Sequence, residues 1–304
     1  MTDSSHLDES QIGRIIQHVV RELSDAEAVP AVPRGAPASR PMAGKGDGMF
    51  HDPDSAVDAA RAAYEQLAEM PLDVRKHMIE AMRAMAREHA GVLAQFAVEE
   101  TGMGRFEDKV QKNLLTANKT PGPEYLEPHV WTGDDGLTLT EYAPYGVIAS
   151  ITPTTNPTST IINNSLSMVS AGNAVVFNAH PGAKACSAYT IQLLNQAIQN
   201  AGGPPNLRTC VVEPTIDSAQ ALMVHKQVRL LAVTGGIGVV RQAMKSGKRA
   251  VCAGPGNPPV VVDETADIEQ AGRDVVRGGS FDNNLVCTTE KTCIVVESVL
   301  TGSA

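Results

Sequence analysis

The stretch with the clearest chemical potential is Ser-Phe-Asp-Asn-Asn-Leu-Val-Cys-Thr-Thr-Glu-Lys at positions 280–291, which carries Cys287. It follows a Gly-Gly-Ser break and precedes the apolar run 293–296, so the thiol stands in a loop rather than in a packed element. A cysteine attacks as its thiolate and only where it is accessible. Asn283, Asn284 and nearby backbone amides are expected to stabilise that thiolate by hydrogen bonds. The thiol lies far enough along the chain for a complete nucleotide-binding α/β unit to precede it. That order suggests a cysteine attacking a carbonyl beside a nicotinamide. Cys186, Cys210 and Cys252 fall in helix or strand patterns and are expected to be buried. Cys293, in a strand-like run, is expected to be structural.

Three other spots place polar or glycine residues where a strand meets a helix. Val233-Thr234-Gly235-Gly236 ends an apolar strand and opens a helix. Glycines there let backbone N–H groups approach a phosphate at the positive end of the helix dipole. The run is not a G-x-G-x-x-G fingerprint, and a tight strand–helix turn explains it equally. In Thr152-Pro153-Thr154-Thr155-Asn156-Pro157, Asn156 and Pro157 suit the N-cap and first turn of a helix. An Asn amide at that strand edge is also placed to donate to a developing oxyanion. His180-Pro181 follows a strand on the same edge, where ligands bind in open sheets. A lone His there is more often a loop residue than a base.

These residues need a scaffold, and the pattern from 146 onward supplies one. Strands are expected at 146–152, 174–178, 208–212, 229–234 and 248–252, with helices at 157–170, 182–201, 216–225 and 236–246. Such alternation with short connections predicts an α/β fold with a doubly wound parallel sheet. A strand at 259–263, a helix at 267–279 and a strand at 292–297 begin a second α/β unit. Upstream, Ala-rich helices are expected at 53–69 and 72–101, and an exposed hairpin near 130–145. Further upstream, Ile12, Ile15, Ile16, Val19, Val20 and Leu23 fall at helical spacing. A Pro-, Gly- and Ala-rich stretch follows that cannot bury enough apolar surface to order itself. The expected organisation is an amphipathic helix over 1–24, a disordered linker over 25–48, a nucleotide-binding domain over 49–252 and the first part of a catalytic domain over 253–304.

Composition narrows the partners. The 304 residues are 42% hydrophobic and 19% charged, which fits a globular chain with a sizeable core. Aromatic residues are only 4% and the formal charge is −9, so neither base stacking nor phosphate-backbone binding is favoured and nucleic acid is not an expected partner. Five cysteines without a C-x-x-C pair disfavour zinc and a disulfide framework, so no metal is expected. No charged residue occurs between Glu141 and Lys184, but prolines and asparagines break that stretch into short apolar runs, so it is not a membrane span. The N-terminus has neither a secretory pattern nor that of a mitochondrial presequence.

Taken together, Glu100-Thr101-Gly102-Met103-Gly104-Arg105, Thr132-Gly133-Asp134, 152–157, Ala201-Gly202-Gly203-Pro204, 233–236, 256–263 and 280–291 resemble the aldehyde dehydrogenase superfamily. Within it, the chain is most similar to the CoA-acylating branch of bacterial microcompartments for ethanolamine or propanediol breakdown. The resemblance implies Cys287 as nucleophile and Asn156 as oxyanion-hole amide. It implies Thr154, Thr155, His180, Pro181, Thr234, Gly235 and Gly236 as cofactor-binding residues, with NAD as cofactor and CoA as cosubstrate. No acidic residue stands at the expected ribose contact near His180-Pro181, so NADP stays open.

Two departures from the family pattern matter. Hydrolytic members carry a general-base Glu that falls, aligned on Pro259, at Ala253, and no acid occurs anywhere from Val251 to Val262. Without a carboxylate to activate water, the acyl-enzyme is expected to wait for the CoA thiol. Family members also continue past 297, so a C-terminally truncated form is expected, with full activity only in a longer form or a complemented assembly. Residues 7–23 resemble the peptides that direct such enzymes to microcompartment shell proteins. The expected protein is cytoplasmic and encapsulated, oxidises acetaldehyde or propionaldehyde to acyl-CoA, and forms a homo-oligomer in its full-length form. A non-catalytic, shell-binding protein, a hydrolytic enzyme and an unencapsulated enzyme are the alternatives.

Overall fold

The computed structural model describes residues 48–300, and the expected N-terminal helix and nearly all of the expected linker lie outside them. The described elements, in chain order, are β1 (Met49–Phe50), α1 (Pro53–Ala68), α2 (Leu72–Glu88), α3 (Ala90–Thr101), α4 (Phe106–Lys119), β2 (His129–Gly133), β3 (Gly136–Thr140), β4 (Val147–Ile151), α5 (Pro157–Ser170), β5 (Ala174–Asn178), α6 (Lys184–Asn200), β6 (Arg208–Val211), α7 (Ile216–Val224), β7 (Val228–Thr234), α8 (Ile237–Lys245), β8 (Arg249–Ala253), β9 (Pro259–Val262), α9 (Ile268–Ser280), β10 (Thr292–Val295) and α10 (Glu297–Leu300).

Six strands form one parallel sheet in the order β1-β6-β5-β4-β7-β8. Every residue of β4, β5 and β6 is buried, as expected of strands covered by helices on both faces. Helix α1 packs on β5 and β6, while α2, α4, α5 and α6 pack against one another. The core runs through Ala149, Ile162, Leu166, Val176, Phe177 and Leu194. The connectivity moves outward from β4 to β5 and β6 on one side and from β7 to β8 on the other. The crevice between the C-terminal ends of β4 and β7 is therefore the topological switch point, where open α/β sheets bind ligands.

Two elements differ from the sequence expectation. The helix expected over 72–101 is two helices that meet at His89, whose backbone sits at φ −97°, ψ 8°. His89 Nδ1 lies 3.1 Å from the Met85 carbonyl, the same oxygen its backbone N–H uses, and Gly91 follows in the next turn. Both residues are weak interior helix formers. Helix α4 was not expected at all. Its apolar residues Phe106, Val110, Leu114 and Ala117 fall at helical spacing, but its buried positions also include Lys109, Lys112 and Asn113, which dilutes that signal. The hairpin β2–β3 is present, antiparallel and exposed along both strands. Strands β9 and β10 form a separate parallel pair, with α9 between them in sequence.

Candidate active site

The turns after β4, β5, β7 and β8 meet the Cys287 segment around a cleft of about 340 Å³ at the switch point. Thr154, Thr155, Asn156, His180, Thr234, Gly235, Gly236 and Cys287 all line it. Pro181 does not; it opens the short 3-10 turn Pro181–Ala183 behind His180. The His180 ring accepts a hydrogen bond from the Gly182 N–H at Nδ1, 3.1 Å away. In the neutral ring Nε2 then carries the proton and is the outward donor. Gly236 is the N-cap of α8 and offers no side chain. The first-turn N–H groups of that helix thus remain available to an anionic ligand.

Asn156 and Pro157 occupy the N-cap and first turn of α5, but the Asn156 side chain makes no capping hydrogen bond. Its Oδ1 instead accepts from Lys112 Nζ at 2.5 Å, and its Nδ2 donates to Thr155 Oγ1 at 3.0 Å. An amide that is not spent on its own helix is available to the cleft.

The loop before Cys287 turns through three consecutive non-glycine residues of positive φ: Asp282 (49°), Asn283 (54°) and Asn284 (60°). Each is costly for an L residue, and such conformations persist only when surrounding contacts over-determine them. Here the contacts are clear. Asn284 Nδ2 donates to the carbonyls of Gly279 and, at 3.0 Å, Glu290, while Lys291 Nζ donates to Asn284 Oδ1 and, at 3.1 Å, to the Val286 carbonyl. The expectation that Asn284 would serve the thiolate is therefore corrected: its amide is consumed in shaping the loop. Asn283 is exposed. Across the cleft, a methyl group on Gly256 would collide with the Cys287 carbonyl, so this glycine permits the close approach of the two segments.

Sequence reasoning missed a buried charge cluster beside this loop. Asp282 is fully buried. Its Oδ1 accepts from the Arg105 backbone N–H at 2.9 Å, and its own N–H donates to Asp108 Oδ2 at 2.9 Å. Asp282 Oδ2 accepts from Lys112 Nζ and from Lys109 Nζ, the latter at 3.4 Å. Lys109 also donates to the Thr155 carbonyl at 3.0 Å. Burial lowers the Lys112 pKa to about 8, with Asp282 opposing the shift and Lys109 adding to it. The one sequence signal for the cluster is the i, i+3 spacing of Lys109 and Lys112, which puts them on one face of a helix only once α4 is known.

Among the other cysteines, Cys186 and Cys210 are buried as expected. Burial pushes the Cys210 thiol up to about 12 and raises Cys186 further, so neither is nucleophilic. Cys252 is only half-buried, because β8 is a sheet edge, and Cys293 is exposed because β10 is largely uncovered on both faces. Those two expectations of burial and packing are corrected. Among the described residues no group of three or more His, Cys, Asp or Glu side chains is placed to hold a metal ion. Among them, too, no helix is long and apolar enough to cross a membrane.

Comparison with known proteins places this geometry in context. The family model described as "Aldehyde dehydrogenase family" matches residues 37–302. An acetylating acetaldehyde dehydrogenase, EutE of Escherichia coli, is 53% identical over 253 residues, covering 83% of this chain and 54% of the relative. Two solved structures superpose well. The propionaldehyde dehydrogenase of the Clostridium phytofermentans fucose-utilisation microcompartment gives a TM-score of 0.81 at 47% identity, over 84% of this chain and 59% of that one. The Rhodopseudomonas palustris propionaldehyde dehydrogenase, with bound CoA and an acylated cysteine, gives 0.82 at 46% identity, over 84% and 59%. The chain thus spans somewhat more than half the length of the relatives it matches. With the sheet order, the cleft at its switch point and a family match over all described residues, this chain is a member of the aldehyde dehydrogenase family.

Proposed function

We propose that the protein oxidises a short aliphatic aldehyde, acetaldehyde or propionaldehyde, to the corresponding acyl-CoA. The observation that carries this reading is a thiol and an amide on one cleft with no carboxylate in the turn that faces them. Cys287 and Asn156 share the cleft with Gly254, Pro255 and Gly256, and the stretch from Val251 to Val262 holds no acid.

The Cys287 thiolate attacks the aldehyde carbon and forms a thiohemiacetal, whose oxyanion accepts a hydrogen bond from the Asn156 amide. NAD, when bound, supplies the hydride acceptor that turns this adduct into a thioester. The chain's residues fit that cofactor: Gly235 and Gly236 leave the start of α8 open to a pyrophosphate, Thr154, Thr155, His180 and Thr234 line the approach, and Pro181 backs His180. NADP fits the same turn, since no acid stands at His180-Pro181 to repel a 2′-phosphate. With no base to deprotonate water, the thioester persists until the CoA thiolate attacks its carbonyl and the Cys287 sulfur leaves. Aldehyde, NAD⁺ and CoA become acyl-CoA, NADH and a proton.

The division into a nucleotide-binding part over 49–252 and a catalytic part over 253–304 belongs to the same reading, as do self-association and a cytoplasmic, encapsulated location with residues 7–23 on shell proteins. Support for encapsulation comes from the microcompartment relative and from the helical spacing of Ile12 to Leu23.

Aldehyde-dependent NADH formation is expected to require added CoA, and Cys287→Ala to abolish it. Equal NADH formation without CoA would assign hydrolysis instead.

A further inference from the structure

The buried charge cluster joins the two halves of the reactive cleft through one helix. On α4, Lys109 and Lys112 lie one turn apart and point the same way. Each reaches both walls. Lys109 donates to the Thr155 carbonyl and to Asp282 Oδ2 at 3.0 and 3.4 Å. Lys112 donates to Asn156 Oδ1 at 2.5 Å and to Asp282 Oδ2. Asp282 lies five residues before Cys287, in the positive-φ turn that sets the course of the thiol segment.

An amide side chain presents an oxygen and a nitrogen of nearly equal shape, so its hydrogen-bond partners decide which faces the substrate. An ammonium has donors only. The Asn156 atom against Lys112 is therefore the oxygen, and Nδ2 is forced to the other side, where one N–H meets Thr155 Oγ1 and the second remains to donate into the cleft. Without the ammonium, rotation of the amide would present an acceptor to the oxyanion.

The geometry points to Lys112 as a positioning residue that fixes the Asn156 amide nitrogen toward the reacting carbonyl and, through Asp282, holds the thiol segment in register with it. This rests on the roles given above to Asn156 and Cys287. Lys109 supports the same frame from the Thr155 carbonyl.

The test uses the full chain and its Lys112→Met, Lys112→Arg and Asp282→Asn variants, each checked for a cooperative melt and for NAD affinity. Acylation of Cys287 is followed by mass spectrometry after mixing with propionaldehyde and NAD without CoA. Lys112→Met is expected to slow acylation by about tenfold or more, a part of the loss seen on removing an oxyanion donor. NAD affinity is expected to stay within about twofold of wild type, and Lys112→Arg to recover part of the rate. Equal acylation in Lys112→Met and wild type overturns the assignment. So does a parallel loss of NAD affinity without recovery in Lys112→Arg, which reduces Lys112 to a folding role. If the wild-type chain itself is not acylated, the aldehyde reading fails, and iodoacetamide decides the positioning claim. Cys287 alkylation should then change severalfold in Lys112→Met and Asp282→Asn but not in Lys112→Arg, with exposed Cys293 as internal reference; unchanged rates at Cys287 overturn it.

Discussion

At the scale of single residues, Lys112 is the most informative group, because its burial links folding to pH. Its pKa is lowered from 10.5 to about 8. In the unfolded chain it keeps its proton to about pH 10.4. Between those values the unfolded state binds more protons than the folded state, so stability rises with pH across that window and the penalty is constant below it. Urea unfolding of wild type and Lys112→Met at pH 7.5 and 10 is expected to show a larger gain in wild type, the difference between the two being on the order of a few kcal/mol. Gly256 makes a second prediction. Its missing side chain is what lets the Cys287 carbonyl approach, and a backbone atom yields only by moving the thiol segment. Gly256→Ala should cost about 1–3 kcal/mol and alter Cys287 alkylation, measured by urea unfolding and peptide mapping.

At the scale of elements, α5 carries both the core and the site. Asn156 is its N-cap, and it buries Ile161, Ile162 and Leu166 completely. Leu166→Ala is expected to lose about 2–5 kcal/mol in denaturant unfolding, through lost burial and the cavity left behind. This helix and strands β4 and β5 were legible in the sequence because their buried faces are apolar and their ends carry Pro, Asn and Gly. Helix α4 was not, because its inward face mixes Lys109, Lys112 and Asn113 with Val110 and Ala117. Apolar periodicity weakens where charged side chains share the buried face, and α4 is held partly by charge and hydrogen bonds. The same gap hid the charge cluster. Cys287 and Asn156 stood out as chemistry by their loop contexts, but the lysines that reach Asn156 and Asp282 stand more than 40 positions away in the chain.

At the scale of the molecule, the hairpin β2–β3 stands out. Val130, Trp131, Leu137 and Leu139 are all exposed, and a lone two-stranded hairpin is marginal in water. Trp131 is the one tryptophan of the chain. Its fluorescence is expected to shift to shorter wavelength as protein concentration rises and the hairpin becomes covered, with Trp131→Arg lowering the mass seen by light scattering. A concentration-independent spectrum and mass would contradict association through this hairpin.

The thiol segment is fastened through Asp282 to the start of α4, by the Arg105 and Asp282 N–H groups, whereas β9 and β10 are largely exposed. Local opening follows contact density, not chain neighbourhood. In deuterium oxide the amides of 259–262 and 292–295 should exchange early while those of Arg105 and Asp282 stay protected, so the sulfur keeps its post while the strands nearest it in sequence breathe.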